Sequence, residues 1–82
     1  MIEQSRKELL DRAIDSNPNA AINYVLRGEL WLLNEEYHAA IADFEKAIML
    51  AEQEVELCDW VYLPQAILDR ARQGLKMAKA FI

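Results

Sequence analysis

Glu35-x-x-His38 sets a carboxylate and an imidazole three residues apart, the spacing by which one helix offers two ligands to carboxylate-bridged metal pairs. Such a centre needs a second copy of the pair and further inward glutamates, and the sequence supplies neither. His38 stands beside a turn and is expected to face solvent. The single cysteine, Cys58, has no histidine or other base near it in sequence, so a buried structural thiol is expected. With only Gly28 and Gly74 present there is no glycine-rich phosphate loop. Catalysis needs polar groups that converge in a pocket, and none of these patterns provides that. We therefore expect no enzyme activity, no metal and no cofactor.

The remaining chemistry is charge. Residues 35 to 59 carry eight acids against Lys46, whereas residues 64 to 82 carry Arg70, Arg72, Lys76 and Lys79 against Asp69. One reading is that a basic C-terminal helix packs over the acidic middle and complements its own dipole. The other is a basic amphipathic helix that binds an anionic membrane or nucleic acid. The net charge of −5 makes nucleic acid an unlikely general partner.

These groups must be positioned by one small domain, residues 1–82, near the size at which a single core is only marginally stable. A hydrophobic share of 54% against 28% charged residues excludes a chain disordered by composition. No apolar run approaches a bilayer span, so no transmembrane segment is expected. A lone cysteine and the lack of a charged-then-apolar leader point to a reducing cytoplasm.

Apolar spacing predicts helices throughout. Leu9, Leu10, Ala13 and Ile14 mark a first helix over 2–15, closed by Ser16-Asn17-Pro18-Asn19. Tyr24, Gly28 and Trp31 share one face of a second, over 19–33, and the Asn34-Glu35-Glu36 turn follows, with asparagine suited to the left-handed conformation. Tyr37, Ala40, Ile41, Phe44, Ala47 and Ile48 draw a stripe down a third helix whose end the pattern leaves open. Pro64 suits the first turn of a fourth, over 64–82, with Ile67, Ala71, Leu75, Ala78 and Ile82 on its buried face.

Aligning the first helix on the third pairs Leu10 with Phe44, Ala13 with Ala47 and Ile14 with Ile48, each pair 34 residues apart. Together, Tyr24-x-x-Arg27-Gly28-x-x-Trp31 and Ala40-x-x-x-Phe44-x-x-Ala47 resemble the tetratricopeptide repeat, whose period is 34. The resemblance covers one full repeat, 21–54, preceded by the second helix of another in which Leu10, Ala13 and Pro18 match. It implies an all-α domain of antiparallel helical hairpins, with the fourth helix as a cap over the open end of the stack. In it, Gly28 and Ala40 are small so that the hairpin helices approach closely, Tyr24 and Trp31 fill the gaps, and Ala47 leaves room for the next helix. Two positions depart from the pattern: Arg27 replaces the usual leucine beside the glycine, and Glu52 stands where proline usually ends the repeat.

Members of this family bind peptides on the concave surface formed by the first helix of each repeat. Carried onto this chain, the partner-facing candidates are Ile22, Val25, Glu29, Leu32 and Leu33. Valine, leucine and glutamate stand where carboxylate-clamping members carry lysine, asparagine and arginine, so that mode is rejected. The resemblance implies a protein-interaction module that takes a helix or peptide in an apolar, acid-rimmed groove. A second copy of the chain closing the groove, or the C-terminal helix covering it, are the alternatives. Trp60, Val61 and Tyr62 read either as core or as an aromatic anchor for a partner.

Overall fold

A computed structural model describes the backbone of residues 2–57 and 62–82 and the side chains of 5–54 and 65–82. Its elements are four helices: α1 (Ile2–Ser16), α2 (Ala21–Leu33), α3 (Tyr37–Leu57) and α4 (Tyr62–Lys79). No strand occurs among the described residues, so the chain is all-helical. Cys58, Trp60 and Val61, and the side chain of Tyr62, lie outside the described residues, and with them the expectations attached to those groups.

The helix boundaries follow from local chemistry. Asn17 N–H closes α1 by donating to Ala13 O at 2.9 Å. Pro18 lies in the turn before α2 rather than opening it, and the Tyr24 hydroxyl donates to Pro18 O at 2.8 Å, tying that turn to the helix it precedes. At the other end of α2, Glu36 N–H reaches Trp31 O at 2.9 Å and Glu35 N–H reaches Leu32 O at 3.1 Å, the paired bonds of a Schellman motif. The left-handed residue is Glu35, at φ 62°, and not Asn34, whose φ is −90°. The bond from Glu36 N–H back to Trp31 O fixes which position must turn left-handed, and that position is the one after the cap. Past the end of the stripe, α3 runs on to Leu57, and Pro64 falls in the first turn of α4, where a backbone donor would have no partner.

The three-residue turn at 34–36 folds α3 back along α2, and α4 then packs along α3 and touches α2. The core is the wedge between these three helices. Phe44 is fully enclosed at its centre, with Val25, Ala40, Ala47, Ala51, Ala71 and Ala78 also without exposed surface. Both glycines of the chain lie against this one ring: a Cβ on Gly28 would stand 2.9 Å from Phe44 Cε1, and one on Gly74 only 2.4 Å from Cε1 and Cζ. A helix–helix approach this close requires the missing side chain, which answers the cost of about 1 kcal/mol that a glycine carries inside a helix.

Helix α1 is the outer layer and, among the described residues, packs on α2 alone. Ile14 is its buried residue. Leu10 and Ala13, expected to pack as their counterparts Phe44 and Ala47 do, are only half-buried, and the Pro18 side chain is exposed. The reason is geometric: α3 has a helix on two sides, α1 on one.

Candidate functional site

Successive residues of a helix are turned by about 100°, so the side of α2 that faces a partner depends on where α4 settles. It settles over the side bearing Glu29, the partner of Arg70. Val25 is fully enclosed and offers no surface to a partner, while Ile22 and Leu32 are half-buried against the core. Glu29 is half-buried, and Arg70 of α4 grips its carboxylate with two donors, Nε and Nη2, each at 2.6 Å. This pairing holds the Arg70 guanidinium above its ordinary pKa, first through the hydrogen bonds to Glu29 and then through the charge itself. Of the five expected positions, Leu33 alone stands clear, 69% exposed.

The exposed apolar side chains of α2, Leu26 and Leu33, lie about a quarter-turn farther round, on the side facing α1. Leu26, Leu30 and Leu33, at i, i+4 and i+7, form one wall of a cleft of about 380 Å³, and Leu9 and Leu10 of α1 form the other. Leu9 is 64% exposed and Leu26 36%. Arg6 and Glu29 stand at the rim. The spacing of the three α2 leucines was readable in the sequence; that Leu26 and Leu33 are exposed while Leu30 is buried was not, because it depends on how the neighbouring helices settle.

A second feature lies on the opposite side of α2. Asp43, buried beside Phe44 on α3, accepts from Arg27 Nε at 2.7 Å and Nη2 at 2.8 Å, and from Trp31 Nε1 at 2.9 Å. The third donor, Arg27 Nη1, reaches Asp11 of α1 at 3.0 Å, and Lys7 donates to the same carboxylate at 2.8 Å. One guanidinium thus joins α1, α2 and α3, and no buried side-chain donor or acceptor among the described residues lacks a partner. The hydrogen bond to Asp43 pushes Arg27 well above its ordinary pKa, against the burial that works the other way. Asp11 is drawn below its ordinary value, first by the hydrogen bond from Lys7. The departure of Arg27 from the repeat pattern therefore has a structural purpose: the residue serves a buried acid one helix away.

Of the C-terminal bases, Arg70 is engaged by Glu29, and Arg72 stands 3.8 Å from Glu52 of α3. Lys76 and Lys79 occupy the last turn of α4, where cations complement the helix dipole. His38 is exposed, and no grouping of three or more His, Cys, Asp or Glu that could hold a metal occurs among the described residues. No described helix is long and apolar enough to cross a membrane. Compared with known proteins, the chain matches no family model, no curated protein and no solved structure.

Proposed function

We infer that this chain is a non-enzymatic protein-interaction module of tetratricopeptide-like build, working in the cytoplasm, which takes a peptide or helix of another protein into the groove between α1 and α2. The observation that carries this reading is the set of leucines left uncovered: Leu9, Leu26 and Leu33 stand together around one cleft while the other large side chains of α2 are drawn into the core. An apolar concavity between two helices suits recognition by apolar anchors at helical spacing. The repeat-like build is supported by the 34-residue pairing of Leu10 with Phe44 and by the close approach of Gly28 to that ring.

The test is a pull-down from the native host with wild type and with Leu33→Asp, followed by mass spectrometry. Leu33 is largely exposed, so the variant should keep its helical circular dichroism and lose the partner. Equal recovery by both proteins would remove the groove from the account. The same leucines could instead meet a second copy of the chain, and sedimentation at micromolar concentration separates the two: a monomer leaves self-assembly without support. Binding of an anionic surface through α4 is the weaker reading, because Arg70 and Arg72 already have acids beside them.

A further inference from the structure

The 34-residue pairing makes α1 the counterpart of α3, and Leu10 the counterpart of Phe44. Phe44 is pressed from two sides, by Gly28 of α2 and Gly74 of α4. Leu10 has α2 on one side and, on the other, the open cleft. The space beside Leu10 is therefore bounded as the bed of α2 is bounded, by a pair of neighbouring helices, and a helix is the shape that fills it.

The rim adds a sign. The acid there, Glu29, has both oxygens occupied by Arg70, so it is a poor partner for an incoming cation. The α1 edge of the cleft carries one base, Arg6, three residues before Leu9. Arg12, one turn beyond Leu9, has Glu8 four residues before it on the same side of α1 and adds no net charge there. With Glu29 engaged by Arg70, Arg6 is the rim charge left to face an incoming chain.

We propose that the α1–α2 cleft receives an amphipathic helix of a partner protein, one that sets a small residue against Leu10, lays large apolar residues on Leu26 and Leu33, and carries acidic residues towards Arg6. The proposal rests on the module reading above and adds to it the shape and charge of the partner.

The probes are two synthetic amphipathic peptides of equal length, identical in a leucine stripe around a central alanine, one flanked by glutamates and the other by lysines. Fluorescence anisotropy at low salt measures both against the whole chain. The glutamate peptide should bind at least tenfold more tightly than the lysine peptide. Arg6→Glu should abolish or invert that preference with the helical spectrum unchanged, and replacing the central alanine by leucine should weaken binding by a similar factor. Equal binding of the two peptides, still lost in Leu33→Asp, would overturn the charge inference and leave the groove reading standing. Binding unaffected by Leu33→Asp would overturn both. A wild-type dimer that Leu33→Asp returns to monomer would make a second copy the occupant and overturn the proposal.

Discussion

Replacing Gly74 by alanine sets two effects of known sign against each other. Alanine is the better helix former by about 0.8–1.0 kcal/mol, so on propensity alone the variant should be more stable. The new methyl, however, would lie 2.4 Å from two carbons of the Phe44 ring, a separation that real Cβ atoms do not reach. That ring has no exposed surface, so the large shift this requires would press it into the side chains around it, and over-packing of this kind costs about 1–3 kcal/mol. The clash outweighs the propensity gain: Gly74→Ala should lose up to about 2 kcal/mol, which at this chain length lowers Tm by up to roughly 10 °C. At Gly28 the nearest approach is 2.9 Å, so a small shift of the ring suffices and Gly28→Ala should stay within about 1 kcal/mol of wild type. Urea denaturation followed by far-UV circular dichroism measures both. Phe44→Leu shortens the ring edge, so in a double-mutant cycle it should recover part of the Gly74→Ala loss, with a coupling of about 1 kcal/mol or more. A Gly74→Ala protein more stable than wild type, uncoupled from position 44, would refute the interlocked core.

Arg27→Leu should destabilise by about 2–3 kcal/mol because buried Asp43 keeps only its bond from Trp31; Arg27→Leu with Asp43→Leu should recover much of that in the same urea assay. Glu35→Gly should gain about 0.5–1 kcal/mol by relieving the left-handed backbone at φ 62°, read as a higher Tm. Asp11 titrates below its ordinary 3.8, so its stabilisation is complete above that pH and is lost as pH falls through the lowered value. Its carboxylate is partly exposed, which limits the effect to less than about 1 kcal/mol; an acid titration of unfolding should show that loss in wild type and not in Asp11→Asn.

Helix number and the hub of the core were legible because apolar period reports which face is buried, and small residues report where backbones meet. Phe44, Ala40, Ala47 and Gly28 fall where that logic places them. Placement of the groove was not legible. Val25 and Leu26 are adjacent leucine-like residues about 100° apart on α2, and only the position of α4 decides which is enclosed and which is left in water. Leu10 and Ala13 were expected to be covered like their counterparts, but coverage depends on a neighbouring helix, which a residue's type does not reveal. The Arg27–Asp43 pair joins positions 16 apart on different helices, and its one sequence trace is the double oddity of a cation beside Gly28 and an acid beside Phe44.

The most direct test of the groove is leucine methyl NMR on the whole chain, titrated with the glutamate-flanked peptide. Shifts gathered on Leu9, Leu10, Leu26, Leu30 and Leu33, with Leu32 and Leu68 unmoved, are the predicted result. Shifts centred on Leu32, or spread evenly over every leucine, would contradict it.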